Sequence, residues 1–256
     1  MLYSASMRTA LIGHTGLVGC NLRRSTDFSE YYNSSNIQSL DGHFDLLVCA
    51  GARGTKWLAN QDPGEDRASI NNLMTALKKA AASRLVLISS VDVFGEPRGV
   101  DESTEPFPTH PYGKHRLDLE KFATDHFPRV HRVRLPGLYG VALKKNPIFD
   151  ILHDHELYKL SGNTVHQYYW LRYLWEDLQI VMDSDLDLIH IATEPVKLSE
   201  IAYLFGKTLP ETESQFHYDM QTRYASHWGR TGRYLYSRDE TLRDLSTFGT
   251  QQGELA

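Results

Sequence analysis

The segment that most constrains this chain is a short β-rich run, Arg8 to Ile12, which passes directly into Gly13-His14-Thr15-Gly16-Leu17-Val18-Gly19 and then into a helical pattern, Gly16–Arg24. Glycines at such a junction let the backbone turn tightly and approach a ligand closely. The amides that open the helix supply positive potential, so the turn suits a pyrophosphate. The GxxGxxG spacing is a weak signal by itself. Its setting strengthens it: a strand before, a helix after, and another strand, Phe28–Asn33, within about 20 residues.

The same alternation continues along the first half. Further strands are read at Phe44–Ala50, Arg84–Ser89 and Arg129–Leu135, after the first at Arg8–Gly13. Helices are read at Asp66–Ala82, with Ile70, Leu73, Met74, Leu77 and Ala81 on one apolar face, and at Pro111–Phe127. Ser34–His43 is too short for a crossover helix with its loops, so one flank of the sheet is expected to be trimmed. After Gly140 the pattern loosens into a helix at Asn146–Asp154 and a hairpin over Leu157–Trp170 around Ser161-Gly162-Asn163. A helix at Tyr173–Asp183 with Trp175, Leu178 and Val181 inward, a strand at Asp187–Ala192 and a helix at Leu198–Gly206 follow. The expected fold class is α/β, a Rossmann-type doubly wound parallel sheet with a small C-terminal substrate lobe. Residues 1–140 would form the dinucleotide-binding core and 141–256 the lobe, with about 173–205 returning to the core. Met1 to Ser6 read as an upstream start or a short ordered arm.

Composition removes several other classes. With 41% apolar and 23% charged residues the chain is ordinary globular material, and its net charge of -5 offers no general attraction to nucleic acid or an anionic membrane. No apolar run is long enough to span a bilayer, and the first residues lack signal-peptide order. Cys20 and Cys49 sit in small-residue apolar stretches and read as reduced core thiols. The expected compartment is the cytoplasm.

Six landmarks in order resemble the extended short-chain dehydrogenase/reductase family of NAD-dependent epimerases and dehydratases. They are the glycine turn, Cys49-Ala50-Gly51-Ala52, Asn71, Ser89-Ser90-Val91-Asp92-Val93-Phe94-Gly95, Tyr112-Gly113, and Arg134-Leu135-Pro136-Gly137-Leu138-Tyr139-Gly140. The match covers about residues 8–140, with a weaker echo to about 205. The resemblance implies NADP or NAD held by Gly13, Thr15, Gly16, Leu17, Val18, Gly19, Asn33, Ser34, Ala50, Gly51, Ala52, Asn71, Ser89, Pro136 and Leu138. It implies Tyr112 as the acid-base, its pKa lowered by nearby positive charge, and Ser90 as the hydroxyl that binds the reacting oxygen. Where the family carries a lysine four residues after the tyrosine, this chain has Arg116, a permanent cation whose planar fork is not interchangeable with an ammonium. Asp92 falls where dehydratase relatives carry an acid, or else caps a turn.

Twenty residues beyond Gly13 stands Asn33, followed by Ser34 and Ser35, with no acid for the ribose of NAD. The missing acid favours NADP. Arg53 would reach a phosphate or stand as a solvated loop charge. In the lobe, Lys144, Lys145, Tyr169 and Arg172 are candidates for an anionic or sugar-like substrate, although the aromatic run His166 to Trp175 also suits a core. His153 and His155, two apart, do not make a metal site, and none is expected. Arg223, Arg230, Arg233 and Arg238, interleaved with Tyr224, Trp228, Tyr234 and Tyr236, read as packing plus surface rather than a nucleic-acid interface.

The leading expectation is an NAD(P)-dependent oxidoreductase or epimerase acting on a hydroxyl or keto carbon of a sugar or nucleotide sugar, with a homodimer as the suggested assembly. The competing expectation is a catalytically impaired dinucleotide-binding protein, a redox sensor or scaffold, in which Arg116 marks lost chemistry. A weaker third is an interaction module that uses the Arg/aromatic tail.

Overall fold

The computed structural model describes residues 7–214 and 216–253, with no side-chain description at 252 and 253. The reading of Met1 to Ser6 lies outside the described residues. The chain divides into two compact units. The first comprises residues up to Gly95, Pro106–Arg134 and Leu174–Ile189, and the second Glu96–Glu105, Leu135–Tyr173 and the chain from His190 onward.

The first unit is built on a six-stranded sheet in the order Leu188–His190, Val130–Leu135, Leu85–Ser90, Leu46–Cys49, Thr9–Ile12, Glu30–Tyr32. The pairs about its centre are parallel: Ala10 with Glu30, Thr9 with Leu46, and Leu47 with Leu85. From Thr9–Ile12 the chain goes first to one neighbour and then, through Leu46–Cys49, to the other. The order therefore reverses beside the first strand, and the crevice at the carboxyl ends of Thr9–Ile12 and Leu46–Cys49 is where such sheets bind ligands. The second strand is the sheet edge, and only a 3-10 turn, Ile37–Ser39, precedes the next strands, as the short connection required.

Burial explains the elements. Leu47, Val48 and Cys49 are fully enclosed, the near-continuous apolar run expected of a strand covered on both faces. Helix Pro63–Leu77 packs Ile70, Leu73, Ala76 and Leu77 onto this layer, and helix Pro111–His126 adds Leu119 and Ala123. A fork-on-fork ion pair runs through the packing, with Arg134 Nε donating to Glu120 Oε1 at 3.0 Å and Nη2 to Oε2 at 2.7 Å. Ser89 donates to the same Glu120 at 2.5 Å. Because strand residues alternate faces, anchoring Ser89 in the core turns Ser90 the other way.

Three sequence expectations are corrected here. The long helix starts at Pro63, capped by Asp62 accepting from the Glu65 amide at 2.9 Å, and ends at Leu77 rather than Ala82. Its expected last turn is instead a strand, Ala80–Ala82, paired in parallel with Gly42–Phe44, which leaves Ala81 exposed. There is no hairpin over Leu157–Trp170: Val165–His166 pairs antiparallel with Val196–Lys197, and Tyr168–Trp170 pairs in parallel with Gly137–Tyr139. Trp175, expected inward, is half-buried, edge-on to Phe28 at 5.7 Å.

The second unit has its own core of Tyr139, Ile148, Ile151, Tyr168, Trp170, Ile201, Leu245 and Phe248. Helices Pro147–Leu152, Leu198–Leu204 and Arg238–Gly253 surround it. The tail arginines meet acids and amides of this unit: Arg230 pairs with Glu240, Arg233 with Gln221, and Arg238 with Glu200. Tyr236 packs on Tyr169 and Tyr173. This is the packing-plus-surface role. No described helix is long and apolar enough to cross a membrane, and no described cluster of His, Cys, Asp and Glu has a metal-binding arrangement.

Candidate active site

The glycine turn lies at the carboxyl end of the first strand. Gly13 has φ +83°, and a Cβ there would overlap the Ala50 carbonyl; one at Gly19 would overlap the Gly13 carbonyl. Only glycine lets the turn close onto the strand ends in this way. Helix Leu17–Ser25 then begins with Gly16 as its cap, with no side-chain cap and no acid in its first turn. Its positive end is left for an anion. A cradle that admits no side chain, opening an uncapped helix at the switch point of the sheet, fits the pyrophosphate of a dinucleotide.

One side of this turn meets the second strand, where the Gly13 amide donates to the Tyr32 carbonyl at 2.7 Å. Arg23 lies over the Tyr31 ring at 4.9 Å and its Nη1 is 3.2 Å from His14 Nδ1. Burial first, then the Arg23 charge, holds the His14 pKa below its usual value, so the ring is neutral and its Nδ1 accepts. Asn33 accepts from the Ser35 amide and hydroxyl at 2.9 and 2.6 Å, which shapes the loop after the strand. Glu30, the nearest acid in the strand, is held by Arg8 at 2.6 Å and by the Tyr32 hydroxyl. Arg23 was not foreseen from sequence, although its place in the last turn of the first helix is a readable signal. Arg53 is paired with Glu65 at 2.7 Å. Asn71 is exposed on its helix, and the Ser89 hydroxyl is occupied by Glu120 in the core.

Tyr112 opens helix Pro111–His126. Pro111 takes the first helical position, and the His110 ring accepts from the Gly113 amide at 3.3 Å. A Cβ at Gly113 would overlap the Asp92 carbonyl, so glycine lets the helix start press against the loop that carries Ser90 and Asp92. The Tyr112 amide donates to Asn60 Oδ1 at 3.0 Å, which ties the short helix Lys56–Gln61 to the same point. Tyr112 is 7% exposed. Burial pushes its phenol up and Asp92 adds to the rise, against Arg116, the Ser90 hydroxyl and Lys56, which act to lower it. The direction is upward, opposite to the expectation of a lowered pKa, because desolvation outweighs the cations.

Arg116, the cation four residues after the tyrosine, meets the Tyr112 ring face. Its guanidinium carbon lies over the Tyr112 ring, 3.9 Å from the centroid. Its nitrogens donate to Asp66 and to the Arg53 carbonyl, and the Arg116 and Asp66 side chains are 2% and 4% exposed. His115 also meets Asp66, at 2.7 Å. Burial works to raise the Asp66 pKa, but hydrogen bonds from Arg116 and His115 hold it below its usual value. Lys56 is a functional candidate absent from the sequence expectations. Its Nζ lies 2.6 Å from Asp92 Oδ1, and Asp92 Oδ2 is 3.4 Å from Ser90 Oγ. The signal was available in the sequence, since Lys56 and Asn60 are four apart and share a helix face.

The remaining sequence candidates belong to the second unit. Pro136 is buried and Leu138 half-buried, Lys144 and Lys145 are exposed, and Tyr169 is enclosed at 1% exposure. Arg172 is exposed and lies over the Trp170 ring at 4.5 Å.

No protein-family model matches the chain, and no curated protein matches it in sequence. Solved structures do match its fold. A dTDP-4-dehydrorhamnose reductase from Bacillus anthracis in complex with NADP shares 17% identity at a TM-score of 0.75, over 96% of this chain and 98% of that one. A UDP-glucose 4-epimerase from Thermotoga maritima with UDP-glucose shares 13% at 0.73, over 96% and 99%. MoeE5 in complex with UDP-glucuronic acid and NAD shares 19% at 0.70, also over 96% and 99%. The fold is thus that of the extended short-chain NAD(P)-dependent epimerases, reductases and dehydratases.

Proposed function

We propose that the chain is an NAD(P)-dependent oxidoreductase or epimerase that acts on a hydroxyl or keto carbon of a nucleotide sugar. The observation that carries this is a glycine cradle at the switch point of the sheet together with a serine that ends the strand Leu85–Ser90 of the same sheet and a tyrosine that opens the helix Pro111–His126 packed against the loop after it. The dinucleotide would be held by Gly13, Thr15, Gly16, Leu17, Val18 and Gly19 at its pyrophosphate, by Asn33 and Ser34 at the adenosine ribose, and along Ala50, Gly51 and Ala52. When bound it supplies or accepts hydride at the substrate carbon. Ser90 binds the reacting oxygen, and Tyr112 holds or receives the proton at that oxygen. Arg116 keeps Tyr112 in place by stacking on its ring rather than by exchanging protons, since a guanidinium does not deprotonate in proteins. The exposed Lys144, Lys145 and Arg172 are assigned to anionic parts of the substrate.

NADP is the preferred cofactor in this reading. Arg23, buttressed by His14 and by Tyr31 of the strand that leads into Asn33 and Ser34, supplies a cation for a 2′-phosphate, and Asn33 to Asn36 include no acid to accept from a 2′-hydroxyl. The test is Tyr112→Phe assayed with NADPH and a 4-keto nucleotide sugar. Turnover is expected to fall by about 100-fold or more, with dinucleotide affinity retained. Unchanged turnover would refute the assignment of Tyr112.

A further inference from the structure

The structure leaves Tyr112 with a permanent cation on its ring face that has no proton to give. A lysine at position 116 would be able to lose and regain a proton, whereas a buried arginine fixed by Asp66 does neither. Yet a phenol that protonates a substrate oxygen must be reprotonated, and one that is 7% exposed meets little solvent. A different group must link it to water.

We propose that Lys56, acting through Asp92 and Ser90, is the proton-exchanging cation that serves Tyr112. Lys56, Asp92 and Ser90 form a linked sequence beside the phenol. The Ser90 hydroxyl acts to lower the phenol against its burial. Ser90 Oγ accepts from the Asp92 amide at 3.1 Å and reaches Asp92 Oδ2 at 3.4 Å, and Asp92 Oδ1 meets Lys56 Nζ at 2.6 Å. Lys56 is 34% exposed in its side chain while Asp92 is 15%, so the sequence runs outward from the buried phenol. The tie from the Tyr112 amide to Asn60, one turn along from Lys56, holds both ends to one short helix.

The step balances. As the phenol O–H breaks and its proton joins the substrate oxygen, the phenolate takes the Ser90 hydroxyl proton. Ser90 regains one from Asp92, whose carboxyl group has taken it at Oδ1 from the Lys56 ammonium and turned to present it. The neutral amine then recovers a proton from water, and the reverse order serves oxidation. The titratable and charged groups that face this sequence are Arg116 from the tyrosine's own helix, His110 at its cap, Asp92 from the loop and Lys56 from the neighbouring helix. Lys56 is therefore a positioning and relay residue, which touches the phenol only through its partners.

This inference rests on the oxidoreductase reading for its purpose, and its first test is independent of substrate and dinucleotide. In the full chain, 3,5-difluorotyrosine is placed at position 112 alone and its ionisation followed by 19F NMR. Lys56→Met is expected to raise the midpoint by about one unit, the size of one lost nearby cation. Asp92→Asn, which removes an anion, is expected to lower it, and Lys56→Arg to leave it in place. A midpoint that moves in neither Lys56→Met nor Asp92→Asn overturns the proposal, whatever the cofactor titration gives. The second readout uses NADPH and a 4-keto nucleotide sugar. Lys56→Arg, which keeps charge but gives no proton, is expected to lose about 100-fold in kcat with KM unchanged. Added methylamine is expected to restore turnover to Lys56→Met. Full turnover in Lys56→Arg also overturns the relay. Failure of all four dinucleotides to bind would instead remove the oxidoreductase reading.

Discussion

Replacing Arg116 by leucine tests whether this residue ties the fold together. The guanidinium and the Asp66 carboxylate are 2% and 4% exposed and meet through Arg116 Nη1, while Nη2 holds the Arg53 carbonyl. Without the arginine, Asp66 keeps His115, at 2.7 Å, but loses its permanent countercharge. Breaking one side of a buried pair costs about 3–5 kcal/mol, because a charge is left without its partner in a poorly solvated place. For a chain of this size each kcal/mol moves Tm by about 2–4 °C, so a fall on the order of 10 °C is expected in scanning calorimetry at neutral pH. Asp66→Leu alone should cost a similar amount. The double variant Arg116→Leu/Asp66→Leu should regain most of the loss, since two apolar side chains leave no buried charge. Single variants within about 1 kcal/mol of the parent and additive in the double, well below the cost of a broken buried pair, would refute the structural role.

Three further outcomes follow from the same geometry. Arg23→Ala should weaken NADPH binding by about 10-fold or more, the loss of one charge-assisted hydrogen bond, and leave NADH unchanged, as read by cofactor fluorescence. Gly113→Ala forces a methyl group into the Asp92 carbonyl, so the start of helix Pro111–His126 must shift. It should cost about 1–3 kcal/mol in urea unfolding and lower turnover as well, whereas Gly99→Ala, with nothing within 4 Å but a positive φ, should affect stability alone. Asp66 and Glu30 are both held below their ordinary carboxylate values, Asp66 by its hydrogen bonds against burial and Glu30 chiefly by Arg8. Their stabilisation is complete above the unfolded-state value and is lost as pH falls through the folded one. Acid unfolding should therefore lie at or below the ordinary carboxylate range, and Asp66→Asn should flatten its pH dependence.

What the sequence made legible was local or periodic. The glycine turn, the parallel alternation and the trimmed flank needed only spacing and length. The start of the helix at Pro63 was also written locally, in the Asp62 cap and the proline beside it, but the apolar period began later and drew the boundary to Asp66. Its end at Leu77 was not local: three alanines with high helix propensity become a strand because Gly42–Phe44 lies alongside them. The same reason undid the hairpin over Leu157–Trp170, whose two halves find different, distant partners. At the site, Tyr112, Ser90 and Asp92 stood in motifs. The fate of Arg116 depended on Asp66, 50 positions away, and the role of Lys56 on Asp92, 36 away. Neither pairing leaves a periodic trace.

The most direct measurement of the central claim is calorimetric titration of the purified protein with NADPH, NADP, NADH and NAD. The glycine cradle and the Arg23 cation predict saturable one-to-one binding of the phosphorylated pair, tighter than that of NADH and NAD. Binding by none of the four would contradict the cradle as a dinucleotide site, and the roles assigned to Tyr112 and Ser90 would go with it.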